Sequence, residues 1–131
     1  MRTTNMLLAS TVLACGSSTS SSPASASSTA RGSTPDAITT DPDKYHLVLE
    51  NNQVRILDYR DRPGDKTSMH HHPAFVLHAF GPFERRLWFP DGTSRVVSFK
   101  GGETEFMPAQ THAGENVGTT ETHVLIVELK R

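Results

Sequence analysis

The sequence predicts an all-β fold, a small sandwich or jelly roll, for residues 41–131. Three observations predict it. Apolar residues recur in short runs separated by turn residues. Turn chemistry punctuates the chain at Arg62-Pro63-Gly64-Asp65, Gly81-Pro82, Pro90-Asp91-Gly92-Thr93 and Lys100-Gly101-Gly102. No stretch carries a convincing helical period.

The elements follow in order. His46-Leu47-Val48-Leu49 reads as a first strand, ended by Asn51-Asn52. Residues 54–59 form a second, and the Pro63-Gly64 turn leads to a third from Thr67 through His70-His71-His72. Residues 75–80 form a fourth. Arg86-Leu87-Trp88-Phe89 and Arg95-Val96-Val97-Ser98-Phe99 flank Pro90-Asp91-Gly92-Thr93, a strong hairpin signal. Residues 104–107 form a strand that ends at Pro108, and residues 122–129 form a last apolar strand expected to be buried on both faces. Eight or nine short strands can close one small barrel. A barrel of this size is marginal alone, so a homodimer formed by edge pairing is expected.

The chain has 131 residues, enough for one domain of ordinary size. Its 13 Lys and Arg nearly cancel 14 Asp and Glu, and no basic run points to nucleic acid. The first 40 residues differ in composition. An apolar stretch, residues 6–14, is too short to span a bilayer, which needs ~20 residues, but fits a signal-peptide core of roughly 7–15. Val12-Leu13-Ala14-Cys15 resembles the lipobox of bacterial lipoproteins, a resemblance that implies cleavage before Cys15 and lipid on its thiol. Residues 1–15 then form a signal segment, 16–40 a Ser/Thr-rich linker that cannot offset the entropy of ordering, and 41–131 the compact domain. The expected location is the cell envelope, with membrane contact only through a lipidated Cys15; without a working signal it is the cytoplasm.

Cys15 is the only cysteine, and all seven His lie after residue 40. A metal site in the domain must therefore use nitrogen and oxygen ligands. His70 and His72 stand at i and i+2, so a strand points both to one face and His71 to the other. His112 lies far away in sequence. Gly64, five residues, His70-x-His72, and later Gly102, five residues, Pro108, then His112-x-x-x-Asn116, resemble the two motifs of the cupins. The resemblance covers nearly all of residues 45–130 and implies a single-domain jelly-roll barrel. It also implies that His70, His72 and His112 bind a divalent metal, which can be Fe, Zn, Mn, Ni or Cu.

The departures sharpen the expectation. Where many cupins place a Glu ligand after three or four intervening residues, this chain has Val76 and Leu77. Gly81 falls about two residues early, the Pro-to-His spacing of the second motif is one residue short, and Gln110 stands where Gly is common. A three-His site is expected. His78 shares parity with His70, His72 and Val76, so a continuous strand would aim it inward as a fourth ligand or a proton-moving group; the alternative is a buried, hydrogen-bonded His. His46 and His123 read as structural. Glu105, Gln110 and Asn116 are candidates to orient the ligands. The aromatic residues read as core, with Trp88 or Phe106 as alternative pocket linings. Of Arg85 and Arg86 one faces out, and the other either holds a carboxylate or is solvated.

Three neutral imidazoles leave a divalent ion its full charge, which favours a small, acidic molecule as ligand or substrate. Two functions remain open: a metal-dependent enzyme (a dioxygenase, isomerase or lyase, with His78 moving a proton) or a non-catalytic ligand-binding or envelope accessory module. No nucleophile motif, phosphate loop or dinucleotide fingerprint is present.

Overall fold

The computed structural model describes residues 32–131. Cys15 and residues 16–31 lie outside the described residues. The described chain forms a short helix α1 (Ala37–Thr40) and nine strands: β1 (Tyr45–Glu50), β2 (Val54–Asp61), β3 (His70–His72), β4 (Phe75–Ala79), β5 (Phe83–Trp88), β6 (Ser94–Phe99), β7 (Thr104–Met107), β8 (Gln110–Asn116) and β9 (Thr122–Leu129).

The pairing is nested. β5 pairs with β6, β4 with β7, β3 with β8 and β2 with β9, all antiparallel. The chain is thus one long hairpin with β5 and β6 at its tip. Successive pairs alternate between a five-stranded sheet, β1-β2-β9-β4-β7, and a four-stranded sheet, β3-β8-β5-β6. That is a jelly roll, as the sequence predicts. The tip is set by local chemistry: Asp91 accepts from the Thr93 amide at 2.9 Å, and Gly92 takes a φ of 83°, which favours glycine.

The core lies between the sheets. Tyr45, Leu57, Tyr59, Phe75, Phe83, Phe99, Val124 and Ile126 fill it, with Phe83 stacked on Phe99 at 4.9 Å. β9 shows why: Thr122, Val124, Ile126 and Glu128 point inward and are buried, while the residues between them are only half-buried. The last strand is therefore buried on one face, not two. One row across the outer face of the larger sheet is nonetheless apolar. Leu49, Ile56, Val127, Val76 and Phe106 stand in register across all five strands.

Three expectations need correction. β8 was not anticipated as a strand, because its inward positions carry His112, Gly114 and Asn116 instead of an apolar series. A helix, α1, is present, and the packed unit begins before residue 41. Asp36 caps α1 by accepting from the Thr39 amide, bridges to His71 and pairs with Arg55 at 2.6 Å, and Ala37 is completely buried. Composition marked residues 36–40 as linker, yet they close one end of the domain. Finally, the third and fourth strands are separate, as the sequence predicts, but the parity that would aim His78 inward assumes a continuous strand. The chain changes sheets at Pro73-Ala74, which resets the parity.

Candidate metal centre

β3 and β8 build the site. Their register places His70 directly opposite His112. Alternation then puts His70, His72 and His112 on the inner face, with exposures of 0, 1 and 8 %. His71 faces out and contacts Thr111 Oγ1 at 3.0 Å. The ring centroids of the three inner histidines lie 4.7, 4.9 and 5.4 Å apart, and one ligand atom from each falls within 4.8 Å of the others.

Two hydrogen-bond partners fix the imidazole tautomers. The Nδ1 of His70 lies 2.7 Å from the carbonyl oxygen of Ser68, which can only accept. Ser68 is itself held by Asp41, whose carboxylate accepts from the Ser68 amide at 3.0 Å. The Nδ1 of His72 lies 2.7 Å from Glu128 Oε1. Burial pushes the Glu128 carboxyl up, but hydrogen bonds from His72 and Arg55 outweigh it and hold the group below its ordinary range, ionised. Both Nδ1 atoms therefore donate. In neutral rings both Nε2 atoms are then bare, and they face each other at 3.0 Å. Two lone pairs at that distance repel unless a positive charge, a proton or a metal ion, lies between them. The Tyr45 hydroxyl, 3.2 Å from His70 Nε2, donates to one of them only. His112 adds a buried Nδ1 with no hydrogen-bond partner, the kind of orphan that an ion or an ordered water satisfies. The donor set thus fits a divalent transition ion: three nitrogens, two of them aimed and oriented by acceptors behind them.

Burial, followed by the neighbouring imidazole of His72, lowers His70 to about 4 and His112 to about 2. Both stay neutral, and competent as ligands, at ordinary pH. The sign for stability follows. The unfolded chain binds protons at these residues from about pH 6.5 downward, while the folded chain does not until about pH 4 for His70, so stability falls as pH falls through that window. Metal-free protein is expected to lose thermal stability steadily from pH 6.5 to pH 4, about 1.4 kcal/mol per pH unit for each such group. Calorimetric unfolding across that range checks it, and a flat profile would contradict the assignment.

The structure separates the other candidates. His78 belongs to β4, whose inward residues are Phe75, Leu77 and Ala79; its ring faces away from the histidine cluster, bonds Thr104 Oγ1 at 2.7 Å and packs on Phe80. The basis for a catalytic His78 is gone, and the sheet change at Pro73-Ala74 is the reason. His123 pairs with Asp58 at 3.0 Å. Glu105 is exposed, and Asn116 is spent on Asp61 Oδ1 and the Thr120 carbonyl. Only Gln110 of that group lines the cavity beside His72 and His112. Phe106 is 62 % exposed on the outer face, and Trp88 does not line that cavity.

One residue of the site escaped the sequence reading, and the sequence leaves a second between two roles. Glu128 orients His72, and through Arg55 and Asp36 it ties α1 to the site. Arg85 points inward, pairs with the buried Asp61, lies 5.0 Å over the Tyr59 ring and lines the cavity. Inward parity in otherwise apolar strands was the signal available for both.

No family model matches the chain, and no curated protein matches it. Solved structures do. A cupin domain from Bordetella pertussis Tohama I superposes with a TM-score of 0.61 at 24 % identity, covering 75 % of this chain and 97 % of that one. The chain has the cupin fold. The RmlC-like cupin protein of Methanocaldococcus jannaschii, described as a double-stranded β-helix, matches with a TM-score of 0.52 at 16 % identity over 66 % of this chain and 78 % of that one. The polyketide cyclase RemF of Streptomyces resistomycificus matches with a TM-score of 0.51 at 16 % identity over 66 and 64 % of the two chains. In this chain the cupin barrel carries its inner histidines on β3 and β8, where the two sequence motifs place them.

Proposed function

We propose that this protein is a member of the cupin superfamily that holds one divalent transition ion on His70, His72 and His112 and binds or transforms a small, acidic molecule there. The observation that carries the reading is the pair of bare Nε2 atoms, 3.0 Å apart, with both Nδ1 atoms committed to acceptors. An ion held by three neutral imidazoles keeps its double charge and supplies Lewis acidity. The chain supplies orientation through Ser68 and Glu128, and exclusion of water through the apolar cavity wall of Phe75, Phe83 and Phe99.

The cavity favours binding or ion-centred chemistry over side-chain acid–base catalysis. Its carboxylate neighbours, Asp61 and Glu128, are both committed to arginines, and burial raises the hydroxyls of Tyr45 and Tyr59 far above their ordinary range. A polyketide cyclase shares the fold, but fold alone does not assign an activity.

The test is metal content of untagged protein, with His70→Ala, His72→Ala and His112→Ala beside it. About one equivalent in the wild type and at least a ~100-fold affinity loss in each variant are expected. Stoichiometric metal in all three variants contradicts the site.

Anchoring at the cell envelope belongs to the same proposal and rests on the lipobox-like Val12-Leu13-Ala14-Cys15. In a bacterial host the full chain is expected in the membrane fraction and Cys15→Ser in the soluble one. Identical partitioning of the two removes the anchor.

A further inference from the structure

We infer that the Tyr45 hydroxyl selects what joins the ion: it favours a ligand that coordinates through an oxygen, such as a carboxylate, over one that coordinates through an amine nitrogen. The inference rests on the metal reading above. It adds a specificity-determining residue and the ligand atom that residue selects.

Tyr45 opens β1, in the sheet opposite the histidines, and its ring, 5 % exposed, crosses the core to reach them. The ring centroid lies 5.4 Å from that of His70 and 5.9 Å from that of His72, and the Tyr59 ring backs it at 4.4 Å. Tyr45, His72 and His112 line one cavity. Among the described residues the Tyr45 hydroxyl has one hydrogen-bond partner, His70 Nε2 at 3.2 Å. That is long for a hydroxyl donor. The Tyr59 hydroxyl, by contrast, is committed to Asp61 at 2.5 Å.

His70 Nδ1 holds the proton of the neutral ring against the Ser68 carbonyl, so Nε2 has a single lone pair. That pair accepts one hydrogen or coordinates one ion, never both. With the pair given to an ion, the Tyr45 hydroxyl stands beside the coordinating atom without an acceptor. A buried donor in that state is costly. A group that joins the ion from the cavity restores the bond, provided its coordinating atom keeps a second lone pair. A carboxylate or water oxygen keeps one. An amine nitrogen has none left, so the hydroxyl hydrogen stays unpaired.

Formate and ammonia serve as the probes, on the full chain loaded with Co(II). The visible spectrum reads each ligand, and elemental analysis of the same samples reads the metal. Tyr45→Phe keeps the ring and removes the hydroxyl. The variant is expected to bind Co(II) no more weakly than the wild type, because losing the hydroxyl also frees His70 Nε2. Its preference for formate over ammonia is expected to fall at least ~10-fold. The wild type alone supplies a second arm. The chain has two tyrosines, so a ¹³Cζ label gives one signal for each. Formate added to the Zn(II)-loaded protein should move the Tyr45 signal and leave that of Tyr59 in place. An unchanged preference in Tyr45→Phe overturns the inference. So does a Tyr45 signal that formate leaves unmoved, or a metal-loaded wild type that binds no formate. Co(II) affinity that collapses in Tyr45→Phe overturns it too, by making the hydroxyl a ligand of the ion. A wild type that takes up neither ion overturns the metal reading itself, and this inference with it.

Discussion

Arg85→Met is expected to lower the unfolding free energy by about 3–5 kcal/mol, because it strands a buried carboxylate. Asp61 is 4 % exposed and receives three donors: Arg85 Nη1, the Tyr59 hydroxyl at 2.5 Å and Asn116 Nδ2 at 3.1 Å. Only the first carries charge. Removing it leaves an anion between two neutral donors in a protein interior. For a domain near 100 residues that loss corresponds to a fall in Tm of at least about 12 °C. The double variant Arg85→Met with Asp61→Leu should recover most of it, since replacing both members of a buried pair with apolar groups is often neutral. Thermal unfolding of the single and double variants separates the cases. Equal Tm values for wild type and Arg85→Met would show that Asp61 does not depend on the pair.

The second large effect is at Glu128. Glu128→Gln keeps the shape and removes the charge that accepts from both His72 Nδ1 and Arg55 Nε at 2.7 Å. A carboxamide has one accepting oxygen end, so one donor loses its partner. Arg55 retains Asp36 at 2.6 Å, so stability should fall less than in Arg85→Met. Metal affinity should fall by about 10–100-fold, as when the group behind a ligating imidazole is removed elsewhere. Competition with a chelator measures it. Unchanged affinity would mean that Glu128 is a packing residue only. Asp36→Ala, one link further out, should give a smaller loss of the same sign, because it releases Arg55 without touching the ligand.

These two networks are also where the sequence was least legible. His112 could be found from the resemblance of its motif to the cupins, and His70 and His72 from their spacing, because a strand alternates strictly and they stand two apart. The same rule misplaced His78, since it holds only within one strand and the chain passes to the other sheet at Pro73-Ala74. β8 had no apolar period to read: its inward positions hold a histidine, a glycine that makes way for Arg85, and an asparagine bonded to Asp61. The sequence does not single out Glu128, and it leaves Arg85 between holding a carboxylate and standing on a solvated strand face. What makes them interior is a partner distant in sequence, Arg55 and Asp61 respectively, and composition carries no trace of such pairing. Residues 36–40 read as linker for a similar reason. Their apolar content is small, and what fixes them is Asp36 against Arg55 and the burial of Ala37. The hairpin tip, by contrast, is written locally in Asp91-Gly92-Thr93, and the sequence placed it correctly.

The central claim is that the Nε2 atoms of His70 and His72 are bare and converge on a cation. Long-range ¹H–¹⁵N correlation spectra of the imidazole rings test it most directly. Zn(II) titrated into metal-free protein should move the Nε2 resonances of both rings to metal-bound shifts, while each Nδ1 keeps its proton, donated to Ser68 O or Glu128 Oε1. Rings whose Nε2 signals stay unmoved at saturating Zn(II), or whose protons reside on Nε2 with Nδ1 bare, would contradict it.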